Sequence, residues 1–246
     1  MRLSSVCLLL ILSLVCKAQD WNVQLTSGII QHKEELIQPL SYAGHKLGIG
    51  IHHDRILRRG DILSADVLVG GTLLARNSRG NTLDQLTVNL VVNYLKTISN
   101  GKWHMGVGLQ AYYDYSLYSL NYEYPFWFTQ YSLNWSHKVN IGLPWNGKVV
   151  AQVSLPLVGV YSRTERDVLY ETKEDYEKAY FHQNLTLRSL GTFQSLTGSF
   201  IYSFTADGSS RVNIGYRAQY YRYTSPKPIS SVYHSIIFIL RLNQIK

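Results

Sequence analysis

Residues 103–135 read WHMGVGLQAYYDYSLYSLNYEYPFWFTQYSLNW. The stretch is crowded with rings, yet near both of its ends a polar residue or a glycine takes every second place. Trp103, Met105, Val107, Leu109 and Ala111 are apolar, and His104, Gly106, Gly108 and Gln110 lie between them. At the far end Tyr131, Leu133 and Trp135 alternate with Ser132 and Asn134, and the pattern continues to Ile141. Successive side chains of a strand leave opposite faces, so this period of two predicts strands with one greasy and one polar face. Which of the two faces looks inward decides the fold.

The same period recurs outside this stretch. In QLTVNLVVNYLK (85–96), Leu86, Val88, Leu90, Val92 and Tyr94 alternate with Gln85, Thr87, Asn89 and Asn93. It appears again, less cleanly, at 46–54, 61–70, 148–161, 181–190, 195–204, 211–221 and 232–243. Most of these segments have about the ~9–11 residues that a tilted strand needs to cross a bilayer. Turn residues such as Arg59-Gly60 and Asn146-Gly147 separate many of them. Long connections are expected at 75–84, 115–126 and 162–179. Ten strands would put those on the side where short turns belong, and further strand pieces within 20–44 would raise the total to twelve. The expected fold is all-β: a single antiparallel up-and-down transmembrane β-barrel of 10–12 strands.

Composition turns the greasy face outward. The polar face is Gly, Ser, Thr, Asn and Gln with isolated charges, which suits the filled interior of a narrow barrel. Charged residues are 16% of the chain, against ~25% in a typical soluble domain. Nineteen Tyr and five Trp outnumber seven Phe, and rings with one wet tip collect at membrane–water boundaries. Trp103, Tyr113, Tyr122, Tyr124, Trp127 and Trp135 are the expected girdle.

The first residues, MRLSSVCLLLILSLVCKAQD, read as a signal peptide cleaved after Ala18. The expected organisation is residues 1–18 as leader, 19–44 as an N-terminal segment with possible first strands, and 45–246 as the barrel. Both cysteines, Cys7 and Cys16, fall in the leader, so no disulfide or thiolate metal site is expected. The net charge is +8. Without Arg2 and Lys17 it becomes +6, from 22 basic and 16 acidic residues. Scattered basic residues on an exported chain argue against a nucleic-acid partner; lipid headgroups, lipopolysaccharide phosphates and internal ion pairs are the readings left open.

With its leader, its alternating segments and its cysteine-free remainder, the chain from Trp21 onward resembles the small outer-membrane β-barrel proteins of Gram-negative bacteria. The resemblance implies residence in the outer membrane, contact with its lipid and lipopolysaccharide, and the barrel-assembly machinery as a partner. Residues 241–246 lack the terminal aromatic common in such barrels.

Candidate chemistry is sparse. Parity places Lys46, Asp54, Asp66, Lys138, Arg188, Arg211, Arg217 and Arg241 inside, where charges must pair. Outer-membrane phospholipases use a His-x-Ser-Asn-Gly sequence; here Thr97 stands in the histidine's place, and Ser99-Asn100-Gly101 reads as a hairpin turn. The neighbours His52 and His53 should point to opposite faces rather than share a metal. No catalytic residue, metal or cofactor is expected. The expected role is structural or interactive with a plugged lumen, against a narrow channel or a lipid-modifying enzyme.

Overall fold

The computed structural model describes residues 20–35, 40–99, 101–119, 121–144, 147–163, 185–189, 193–203, 212–224 and 227–243. These residues form β1 (Asp20–Glu34), β2 (Ser41–Ile56), β3 (Ile62–Arg76), β4 (Thr82–Ser99), β5 (Trp103–Tyr118) and β6 (Asn121–Gly142). There follow β7 (Lys148–Arg163), β8 (Thr186–Ser189), β9 (Phe193–Ser203), β10 (Val212–Tyr223) and β11 (Ile229–Asn243). Every pairing in the sheet is antiparallel, and β1 pairs with β11 from Asp20↔Asn243 to Glu34↔Ile229, closing the sheet.

Both β8 and β9 pair with β7, at Tyr161↔Thr186 and Ser154↔Thr197, so they occupy one place in the wall. The ring therefore has ten positions. The segments 181–190 and 195–204 are not two separate walls, and residues 20–44 supply one complete strand together with the start of β2. The total of ten stands and twelve is not reached. This also removes the conflict over loop direction. The chain ends lie with the connections 57–61, 100–102, 143–147 and 204–211, here the termini end. The opposite, loop end carries 35–40, 77–81, 119–120, 164–185 and 224–228. The longest connection, 164–185, is thus opposite the termini, as in transmembrane barrels.

Two expected long connections are strand instead. β3 runs to Arg76 and β4 begins at Thr82; β5 runs to Tyr118 and β6 begins at Asn121. A tight turn suffices at 77–81 because Asn77 Oδ1 accepts from Arg79 N (2.9 Å) and Asn81 N (3.1 Å). Gly80 completes it at φ 82°, a left-handed conformation that glycine adopts without penalty.

The facing follows the parity of the sequence. Leu109, Ile49, Phe200 and Ile29 are each more than half exposed on the outside, whereas Gln24, Asn93, Ser136 and Asn134 are buried inside. On β5, Trp103 and Tyr113 bracket the outward row. Ten residues at a rise of ~3.3 Å and a tilt of ~40° climb ~25 Å, the height of a lipid-facing band. Two bulges add apolar side chains to the outside. One, between Gly71 and Ala75, exposes both Leu73 and Leu74, the latter at φ 56°. The other lies on β7 beside Pro156, whose missing N–H a bulge tolerates, and exposes Leu157 and Val158. The chain is a closed up-and-down antiparallel β-barrel of ten wall positions, apolar outside and polar within, the build of a small transmembrane barrel.

Facing makes a direct prediction. Val107→Arg places a charge against lipid and should cost ~2–4 kcal/mol, whereas Asn89→Ala loses one inward hydrogen bond, worth ~1 kcal/mol. Urea midpoints in lipid vesicles read both; equal midpoints for the two variants would mean the faces are reversed.

Candidate functional site

The lumen is where the sequence concentrates unusual residues, and it is filled at three levels. Nearest the termini end lies an ionic level. Lys138 Nζ on β6 donates to Asp54 Oδ2 on β2 at 2.6 Å. His52 sits between Asp54 and Asp66, 3.3 Å from each. Asp66 also faces Arg217 at 3.6 Å and accepts from Gln24 Nε2 at 2.9 Å, while Arg217 donates to Gln24 Oε1 at 3.2 Å.

The middle level is made of amides and hydroxyls. Gly106 and Gly108 on β5 present no side chain, so residues of β4 and β6 meet over them: Ser136 Oγ bonds to Asn93 Oδ1 at 3.0 Å. A Cβ on Gly108 would come within 2.0 Å of Asn93 Oδ1, so this contact depends on glycine. Gln110 donates to Asn89 Oδ1 and accepts from Asn134 Nδ2, both at 2.8 Å. Between these levels lies a cavity of about 80 Å³ lined by Asp66, Arg217, Gln110, Gln152 and Gln219 among others. A water needs ~10–15 Å³ of such space and two or more polar partners, so several fit.

The third level, toward the loop end, is aromatic. Phe128, Tyr161, Phe193, Tyr221, Tyr223 and Ile229 form one buried cluster, with Tyr112 against it. Tyr42, Ala75, Leu83 and Tyr118 form a second. Polar groups thread both. Asp114 Oδ2 accepts from Tyr221 OH and Gln85 Nε2 at 2.8 Å, and Oδ1 from Ser116 Oγ at 2.9 Å. His32 meets Tyr118 OH at 2.9 Å, and Arg163 donates to Glu34 at 2.7 Å. A smaller cavity of about 30 Å³ lies below, lined by Lys46, Tyr112, Tyr221 and Tyr233.

These bonds share one geometry. Lys138–Asp54 joins β6 to β2, Arg217–Asp66 β10 to β3, Tyr221–Asp114 β10 to β5, His32–Tyr118 β1 to β5, and Arg163–Glu34 β7 to β1. On the ten-position ring each spans four positions, one short of a diameter. They are struts across the lumen. Among the described residues Lys46, Lys138, Arg163 and Arg217 share the lumen with Glu34, Asp54, Asp66 and Asp114, and His52 stands between two of those carboxylates.

Of the expected inward charges, Lys46, Asp54, Asp66, Lys138 and Arg217 point into the lumen. Lys46 Nζ stands over the Tyr233 ring, 5.2 Å from its centroid. Arg241 is a correction: it has inward parity but lies on the last rungs of β11, where the wall opens and the side chain is exposed. The Arg188 side chain and all of Arg211 lie outside the described residues, as does the leader. Glu34, His52, Arg163 and Asp114 are network members that sequence reasoning missed. Within the girdle, Trp103 is exposed on the lipid side, while Tyr113 and Trp135 are half-buried there. Trp127 is a second correction: it is only 3% exposed, one residue past Phe128↔Arg163, the last pairing of β6 with β7. The Tyr122 and Tyr124 side chains lie outside the described residues.

At the termini end Thr97, His104 and Asn140 come together. Thr97 Oγ1 lies 2.6 Å from Gly60 O and 3.1 Å from His104 Nδ1. His104 Nε2 lies 3.1 Å from Gly101 O, which can only accept, and 3.0 Å from Asn140 Nδ2. The trio ties two turns together, and Ser99 is exposed in one of them. Beside it, Asp61 accepts from Thr97 N (2.9 Å) and Tyr94 OH (2.7 Å), bonds that hold its carboxyl below the usual range.

No protein-family model matches the chain, and no curated protein matches it. Among solved structures it is similar to the outer-membrane protease OmpT from Escherichia coli, at 4% identity over 92% of this chain and 98% of that one, TM-score 0.49. It is also similar to the β-domain of the Bordetella autotransporter BrkA, at 11% identity over 89% and 98%, TM-score 0.43. The translocator domain of the autotransporter NalP from Neisseria meningitidis matches at 9% identity over 92% and 89%, TM-score 0.43. These likenesses lend no residue role or activity to this chain.

Proposed function

We propose that this protein is a plugged barrel of the Gram-negative outer membrane, exported by a cleaved leader, with a structural or interaction role rather than a transport one. The observation that carries this reading is the set of five struts spanning four of ten wall positions. A barrel of this size is only modestly wider than the ~8-stranded kind whose interior side chains fill. Long side chains joined across it obstruct the axis, and each lumen ion pair holds its charges to one another rather than to a passing ion. Lipid, lipopolysaccharide and the barrel-assembly machinery are its proposed partners.

Planar-bilayer recordings of the purified protein test the reading. The expected trace shows no steady open level, and Asp66→Ala with Arg217→Ala raises leakage. Steady, ion-selective current from the unmodified protein would overturn it in favour of a narrow channel. That second reading has one observation in its support: the polar cavities share Gln110, Thr197 and Gln219, so they adjoin along the axis. Fractionation with the outer membrane, and a shift in gel mobility on boiling, test the location.

A further inference from the structure

We propose that the outer face of β4–β6 at the termini end is a headgroup site for an anionic glycerophospholipid. Three features meet there. Lys96, Met105 and His137 stand in one register row on neighbouring strands. His137 lies between two indoles, stacked on Trp103 at 5.2 Å and on Trp135 at 5.8 Å. Lys102, in the turn just before Trp103, adds a second exposed lysine at the same end of the wall.

The arrangement has the chemistry of a lipid phosphate. Neighbouring strands are ~4.8 Å apart, so Lys96 and His137 leave the wall ~10 Å from each other with Met105 between them. A lysine stem lies readily over apolar surface while its ammonium stays wet. Laid over Met105, it brings the ammonium and the imidazole to either side of a phosphodiester. The indoles form an apolar shelf below for the glycerol and first acyl carbons. The Asp61 carboxylate, whose charge acts on Lys96, is itself engaged by Tyr94 OH and Thr97 N. The partner is phospholipid because the patch lies opposite the 164–185 connection, at the end that outer-membrane barrels turn to the phospholipid leaflet.

The test uses the full chain in phosphatidylcholine vesicles, with Trp21, Trp127 and Trp145 changed to Phe so that Trp103 and Trp135 report. Brominated phosphatidylglycerol should quench these two several-fold more efficiently than brominated phosphatidylcholine. Lys96→Gln and Lys102→Gln should each reduce the preference roughly fivefold, the effect of one cation near a charged surface. Native mass spectrometry on the unmodified chain gives a second readout, as phosphatidylglycerol adducts that the double Lys96→Gln, Lys102→Gln variant loses. Equal quenching by the two lipids, adducts unchanged in the double variant, or stronger competition by lipid A than by phosphatidylglycerol would each overturn the proposal.

Discussion

Glu34→Ala should lower stability by about 3–5 kcal/mol, because it leaves the buried Arg163 guanidinium without its carboxylate. The two side chains are 4% and 6% exposed and meet at 2.7 Å across the lumen. Removing one partner of such a pair costs more than the pair contributes, since the remaining charge stays out of water. Glu34→Met with Arg163→Met should therefore recover most of the loss. Urea midpoints in vesicles read both variants. If the single and double variants lose the same amount, the pair is not acting as a strut. Fixed charges that are cheap to replace together but costly to break singly suit a device that specifies one closed arrangement of the wall.

The parts of this fold legible in the sequence were those where one face meets lipid and the other meets packed amides. On β4 and β5 the alternation of Leu86, Val88 and Leu90, and of Met105, Val107 and Leu109, is clean because each outward position needs an apolar side chain. On β11 it blurs, because Ile237 and Ile239 are buried inside while Ile236 and Phe238 are exposed outside. β1 was weakly marked for a related reason: Ser27 faces out and Ile30 faces in. Parity located five inward charges, since a lone charge within a strand has only two directions to point. It missed Glu34, Asp114 and Arg163 because they stand near strand ends at the loop side, in stretches whose rings and charges read as connections. Asp114 has the same parity as Gln110 and was reachable by extending β5 four residues. His52 was visible but read against a metal, when its partners were the two carboxylates on either side.

Phe128→Ala should cost about 3–5 kcal/mol, the usual cost of deleting a fully buried phenyl ring, and should also open the lumen. Phe128 is 1% exposed and central to the aromatic level. Its ring stacks on Tyr221 at 5.4 Å with planes 2° apart, and lies 6.0 Å from Phe193 and 5.9 Å from Tyr223. No neighbour of similar size can move in, because the same rings are tied elsewhere: Tyr221 OH is held by Asp114 at 2.8 Å. The hole should therefore persist and join the cavity below, which Tyr112 and Tyr221 also line. Energy and permeability are thus linked through one side chain. The expected result is a lowered urea midpoint together with brief, poorly selective openings in planar bilayers, and Phe128→Leu should be intermediate on both measures. Loss of stability without any leakage would place the seal in the ionic level near the termini. Unchanged stability would mean the wall collapses into the gap, so that the closed lumen depends on the struts alone.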